Sequence, residues 1–487
     1  MSGPNVRRPV EKGKSKFYAN IFSRFGRSPG AVLGPLLRYG NTTGPPGRPL
    51  LRFCMDMGQS GGKKPPFAGK AVGIPLAKLT GIMQRRRAQR GAYTTMKHVA
   101  IVAACRTPIG TIGGQFKTLT ALDLTIPVMQ ALVQRSGVDP ACIDDVIWGC
   151  NYQRTYLENN LARVAAVKAG LPETVPGITV HRNCTSSMSS IQMGFYQIMA
   201  GEANCIMAGG ADCMSAAPFM VFDARYGKKF GHMDLRDSMW DSLTNLGVGP
   251  AMGITAENVA EAYHVTREDM DNYALLSQQR AAAAADGGKF AEEIIPVTVP
   301  GKKGDTVITT DEHIRRDTSY EKLAKLKPTF KKDGRVTAGN SSGMNDAASG
   351  VLLMEEEMAR KLGLPVLARV VATATTGVSP DLMGIGPISA TQKTLEKAGL
   401  SVADVDLFEI NEAFAAQCVA CQRELGIDVE KLNVNGGGIS LGHPVGATGS
   451  RLVVSLLHEL KRRGGRYGLA TLCAGGGMGT AVLIEMA

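Results

Sequence analysis

The chain has no apolar run of about 18 residues, the length a membrane-spanning helix requires, so no span is expected. It also has no disulfide framework. Ten cysteines at 54, 105, 142, 150, 184, 205, 213, 418, 421 and 473 are scattered without regular spacing, which points to a reducing compartment. The one C-x-x-C, Cys418 to Cys421, falls inside a helical pattern and reads as two small core residues, since a redox pair wants its thiols at a helix N-terminus. No G-x-G-x-x-G follows the first strand-like run, which sets aside a dinucleotide oxidoreductase. Acids are nearly missing from the first 96 residues, which hold Glu11 and Asp56 against 18 Lys and Arg. The remainder has 37 basic and 41 acidic residues, so the net charge of +12 belongs to a head and gives the body no reason to bind nucleic acid.

That head, residues 1–95, is punctuated by Pro and Gly and lacks a compact apolar segment at its start. Its composition is that of a disordered extension or an organelle transit segment, so a mitochondrial address is expected, with cytoplasmic or peroxisomal location as alternatives. A start at Met83 or Met96, or a nucleic-acid-binding arm, are the other readings of the same stretch.

From His98 onward, short β-branched runs alternate with helical stretches, the pattern of an α/β fold. Strands are expected at His98 to Ala103, Ile143 to Gly149, Cys205 to Gly210, Leu407 to Ile410 and Leu469 to Cys473. Helices are expected at Ala121 to Gln134, Ser186 to Ala200, Arg267 to Asp286 and Gly449 to Arg463. The chain also repeats itself. The stretch from Gly137 reads like that from Gly399, Val180 to Ser187 like Val434 to Gly438, and Gly201 to Asp212 like Gly465 to Gly479. The organisation expected is a first half at 96–216 plus 346–366, an insertion at 217–345 covering a shared face, and a second half at 367–487.

Chemistry concentrates at three places. Cys184 stands where a strand gives way to a helix, so its thiol would meet the positive end of a helix dipole, which favours thiolate. A packing cysteine is the plain alternative. His443 lies in the glycine-rich stretch VNGGGISLGHPVGATGSR, between Gly442 and Pro444, in a loop that no hydrophobic period explains. Cys473 precedes Gly475-Gly-Gly477, where a thiol could exchange a proton and backbone N–H groups could hold an oxyanion. Asn411, in Asn-Glu-Ala-Phe414, is either an oriented polar group or an ordinary helix N-cap.

Cys184 in C-x-S, Gly209-Gly210, Met252 to Asn258, Thr337 to Ser342, Asn411 to Phe414, Gly442-His-Pro444 and Cys473 to Gly479 occur in the order and spacing of the thiolases, which this chain resembles from Met96 to Ala487. The resemblance implies a five-layered αβαβα fold of two duplicated halves with an inserted loop domain that binds coenzyme A. It implies Cys184 as the residue that takes the acyl group, His443 as its base and Cys473 as the group that moves the α-carbon proton. Backbone N–H groups of Cys184 and Gly475 would form one oxyanion site, and His443 with a water on Asn411 the other. Arg315 and Ser342 fall where the family contacts coenzyme A, although Arg315 also reads as a solvated surface charge. Coenzyme A would be a co-substrate, with no metal and no permanently bound cofactor. A homodimer or homotetramer, and a β-oxidation enzyme as partner, are implied in the same way.

The pattern departs from the family at Ser187, where C-x-S-G is common, at Ala251 before Met252, and at Asn345-Asp-Ala-Ala. Ser187 is expected to add a side chain beside the acyl pocket and to affect chain-length tolerance or acylation. A β-ketoacyl synthase would show two catalytic histidines, which this chain lacks. A catalytically silent acyl-CoA or lipid-binding scaffold would have lost Cys184, His443 or Cys473, and all three are present.

Overall fold

The computed structural model describes residues 97–487, so the readings of the basic head lie outside the described residues. In the first half come β1 (Val99–Arg106), α1 (Ala121–Ser136), β2 (Asp145–Gly149), α2 (Leu161–Lys168), β3 (Gly177–Val180), α3 (Ser186–Ala200) and β4 (Cys205–Cys213). An insertion with α4 (Met252–Ala262) and α5 (Arg267–Asp286) follows, and β5 (Asn345–Glu355) closes the half. In the second half the order recurs as β6 (Ala368–Gly377), α6 (Gly386–Ala398), β7 (Leu407–Ile410), α7 (Ala415–Leu425), α8 (Thr448–Arg463), β8 (Tyr467–Ala474) and β9 (Met478–Met486). The counterpart of β3 is reduced to one parallel bridge, Phe408 to Leu432.

The local signals explain these elements. α1 begins at Thr120, whose hydroxyl accepts from Asp123 N–H while the Asp123 carboxylate accepts from Thr120 N–H, a reciprocal cap. β1 is buried along its whole length, as a run of Val, Ile and Ala in a central strand should be. The strands escaping sequence-level detection are β3, β5, β6 and β9. In β5 and β6, small and hydroxyl residues such as Ser349, Thr373 and Thr375 interrupt the apolar pattern.

Strands follow one another in the order β7-β8-β9-β6-β1-β5-β4-β2-β3. The junction between halves is thin. β1 and β6 pair only at Val99 to Val370, Ala100 to Arg369 and Ile101 to Ala368, and each then bulges, between Ile101 and Ala103 and between Val370 and Ala372. A bulge bends and twists its strand, and beyond these two the half-sheets part. α3 and α8 fill the gap, packing Met188, Ile191, Ile198, Leu452, Leu456 and Leu460 between inner faces that carry Ile101, Ile206, Leu472 and Ile484. α1 and α2 cover the outside of one half-sheet, and α6 and α7 the outside of the other. The result is the five-layered α/β arrangement that the resemblance implies, with two helices from different halves touching at its centre.

Cys418 and Cys421 are buried in α7 as unpaired thiols, with Sγ atoms against the carbonyls of Asn411 at 3.5 Å and Gly384 at 3.4 Å. They are core residues, as expected from the sequence.

Candidate active site

The two central helices begin at the same end of the molecule, so the loops leading into them meet. Cys184 lies on the loop into α3, one residue before the N-cap Thr185. The backbone turns sharply there: Asn183 sits at φ 47°, a left-handed conformation that Asn tolerates better than most side chains. Asn183 Nδ2 donates to Gly475 O at 2.8 Å, which fixes the glycine loop of the second half against the cysteine loop of the first. The backbone N–H groups of Gly475 and of Cys184 itself act to lower the Cys184 thiol. The thiolate expected from the helix dipole does not result, because burial outweighs those N–H groups and pushes the Cys184 thiol up to about 11.

His443 is buried on the loop into α8. Its ring is oriented from below by Thr448, whose Oγ1 lies 2.7 Å from Nδ1 and 2.8 Å from the carbonyl of Pro444. With the hydroxyl proton directed to that carbonyl, Thr448 accepts from Nδ1–H, and Nε2 keeps the lone pair of a base. Burial, aided by the charge of Arg451, lowers the ring to about 3, so the imidazole is neutral. Gly442 is required in front of it: at φ 107° its Cα faces Asn345, and a Cβ would come within 2.4 Å of that side chain. Asn345 uses the proximity, accepting from His443 N–H at 2.9 Å and donating to Gly110 O at 2.9 Å.

Asn411 is not a helix cap. α7 starts at Ala415 with Phe414 as N-cap, and Asn411 directly follows β7, its N–H donating to Thr471 O at 3.0 Å. Its side-chain amide lies 3.4 and 3.5 Å from the two ring nitrogens of His443, and its Oδ1, though buried, finds no donor among the described residues. Glu412 beside it is buried and accepts from Ser277 Oγ at 2.6 Å, Ile439 N–H at 3.0 Å, Asn433 Nδ2 at 3.0 Å and Tyr273 OH at 3.2 Å, which locks the glycine loop to α5.

Cys473 is buried near the end of β8 among Ala256, Met383, Ala413 and Phe414. Burial holds its thiol well above the ordinary range, and negative charge on Cys184 acts in the same direction. A cavity of about 500 Å³ opens at Cys184 and Gly475, floored by Asn183, Tyr152 and Val445 and roofed by Met220, Leu243, Leu246 and Met252 of the insertion. The structure therefore brings Cys184, Gly475, His443, Asn411 and Cys473 to one end of the central layer. Of the candidate residues only Cys184 and Gly475 line the cavity; His443, Asn411 and Cys473 lie behind its wall, and Arg315 and Ser342 are outside it as well. Arg315 is exposed, its N–H donating to Gln278 Oε1 at 2.8 Å and its carbonyl accepting from Thr318 Oγ1 at 2.8 Å, and half-buried Ser342 donates its N–H to Ala413 O at 2.9 Å.

Two family descriptions match this chain, "Thiolase, N-terminal domain" over residues 99–357 and "Thiolase, C-terminal domain" over residues 364–486. The chain belongs to the thiolases. It is 48% identical over 394 residues to an acetyl-CoA acetyltransferase of Syntrophomonas wolfei, covering 80% of this chain and 99% of that one. Among solved structures, the Bacillus anthracis acetyl-CoA acetyltransferase is similar at a TM-score of 0.79 and 48% identity, over 80% of this chain and 99% of that one. Human mitochondrial 3-ketoacyl-CoA thiolase in complex with CoA is similar at a TM-score of 0.78 and 44% identity, over 80% and 98%. This thiolase is accordingly an acyltransferase, one that moves an acyl group between an enzyme thioester and coenzyme A.

Two findings correct or extend the sequence reading of this thiolase. Ser187 does not reach the acyl pocket. It is fully buried between α3 and α8, where its Oγ accepts from Ser450 N–H at 2.9 Å. Asp212, at the end of β4, passed unnoticed although it is buried and accepts from Asn151 N–H at 2.8 Å, Tyr152 N–H at 3.1 Å and Gly446 N–H at 2.6 Å. It thereby ties the wall of the cavity to the His443 loop. Its only sequence signal was an acid inside an otherwise apolar strand, since buried carboxylates need several donors to persist.

Proposed function

We propose that this thiolase cleaves 3-ketoacyl-CoA with coenzyme A, or condenses two acetyl-CoA when concentrations favour it, with Cys184 as nucleophile. The observation that carries the assignment is a cavity wall shared by both halves, in which Cys184 of the first and Gly475 of the second stand together, tied by the Asn183 Nδ2 to Gly475 O hydrogen bond at 2.8 Å. In the thiolytic direction Cys184 Sγ attacks the C3 carbonyl while its proton passes to His443 Nε2. The oxyanion formed at C3 takes the backbone N–H groups of Cys184 and Gly475. Scission of the C2–C3 bond leaves an acyl thioester on Cys184 and a carbanion at C2, which takes the Cys473 proton, and acetyl-CoA departs. Protonated His443, with a water on Asn411 Oδ1, steadies the enolate oxygen during that step. The incoming coenzyme A thiol gives its proton to the Cys473 thiolate and attacks the acyl carbon. Cys184 leaves and recovers its proton from His443, so that each group returns to its starting state.

The same reading takes Arg315 and Ser342 as contacts to coenzyme A outside the cavity wall, and a homodimer or homotetramer as the working assembly. A role in β-oxidation, with a further enzyme of that sequence as partner, and residues 1–95 as a mitochondrial address complete it. The deciding experiment is thiolysis of acetoacetyl-CoA and of a long-chain 3-ketoacyl-CoA by the wild type and Cys184→Ala. Activity that Cys184→Ala lowers by at least about 10⁴-fold supports the assignment. Activity retained in the variant would move the nucleophile elsewhere. A fluorescent fusion of residues 1–96 that stays diffuse in the cytosol would refute the address.

A further inference from the structure

We propose that Ser187 is a positioning residue, one that caps α8 from the opposite half of the molecule and so holds the base His443 in line with Cys184. A helix leaves its first N–H groups without partners, and an N-cap side chain ordinarily satisfies one of them. α8 has no such side chain, because its N-cap is Ala447. Its third residue, Ser450, donates its N–H instead to Ser187 Oγ at 2.9 Å, across an interval of 263 residues. The hydroxyl of Ser450 is held as well, 2.5 Å from Ser349 Oγ and 3.1 Å from Ala447 O. All three serines are fully or almost fully buried, so water offers no substitute partner.

The location links this bond to the chemistry. Ser187 is in the first turn of α3, three residues after Cys184, and Ser450 is in the first turn of α8, two residues after Thr448. Thr448 carries the hydroxyl that orients His443 Nδ1. One hydrogen bond between the halves therefore connects the turn that carries the nucleophile to the turn that steers the base. A side chain at this point could change the acyl pocket only if it faced the cavity, and Ser187 is not among the lining residues.

The inference rests on Cys184 and His443 having the roles proposed above, and the test separates the two. Ser187→Ala, nearly isosteric, and Ser187→Gly are compared with the wild type for kcat and KM for coenzyme A in acetoacetyl-CoA thiolysis. The rate at which iodoacetamide alkylates Cys184 at neutral pH, read by mass spectrometry, is measured alongside. Loss of the cap is expected to lower kcat by about five-fold in both variants alike, with KM nearly unchanged and alkylation of Cys184 slowed in parallel. Wild-type kcat and alkylation in Ser187→Ala, with a loss in Ser187→Gly only, would reduce Ser187 to a packing residue and overturn the proposal. A change in KM at constant kcat would overturn it too, by returning Ser187 to the substrate pocket. If the wild type proves inactive in thiolysis, the alkylation rates still decide the role of Ser187, since they require no turnover.

Discussion

His443 is an imidazole that folding keeps neutral, and this gives acid instability a named source. Burial, then the charge of Arg451, lowers it from 6.5 to about 3. Unfolded, the ring binds a proton near pH 6.5, so from about pH 6.5 down to about pH 3 the unfolded chain holds a proton that the folded chain refuses. The stability this ring contributes is full above that window and is lost as pH falls through it. His313, lowered to about 4 by burial and by Arg315, acts with the same sign. His443→Gln is therefore expected to shrink the loss of unfolding free energy between about pH 7 and about pH 5, measured by urea denaturation. Equal losses in variant and wild type would show that the ring does not carry the effect. At this scale the sequence offers candidates, Cys184, His443, Asn411 and Cys473. The protonation states depend on burial, which for Cys184 outweighs the lowering by backbone N–H groups at the start of its helix.

α8 shows how an element can be found from sequence while its surroundings are set by the fold. Its limits are legible to one residue, yet although it carries Arg451, Ser455, His458 and Glu459, residues Thr448 to Leu460 are all buried. The charges are paired instead of solvated: Arg451 with Glu409 at 3.3 Å, and Glu459 with Arg463 at 2.6 Å and with Arg462. The approach of α8 to α3 depends on Gly449, where a Cβ would lie 2.5 Å from the backbone nitrogen of Met188. Gly449→Ala should relieve chain entropy but drive the helices apart, and a net destabilisation of about 1–3 kcal/mol is expected in urea unfolding. A more stable variant would mean that the central layer can open at little cost.

At the scale of the molecule, the two halves are topological copies that cannot be separated. Each contributes one helix to the central layer, and Asp212 of the first half holds Gly446 of the second. Alone, the second half would expose Leu452, Leu456, Leu457 and Leu460 on one side of α8, all now buried. Unfolding of the described residues is expected to be a single transition, with far-UV circular dichroism and near-UV signal from buried Trp148 changing together. Two resolved transitions would contradict a shared core.

The sequence by itself determined the α/β alternation, the duplication, and the candidates for the chemistry, because each is written in local spacing: β-branched runs, repeated turns, and glycine around one His and one Cys. The tertiary structure alone decided which half supplies each partner. Asn183 to Gly475, Asp212 to Gly446 and Ser187 to Ser450 are hydrogen bonds across more than 200 residues. Such pairs leave no periodic trace in the chain, since they arise only when the half-sheets part at matching bulges and let two helices pack together with their first turns in contact.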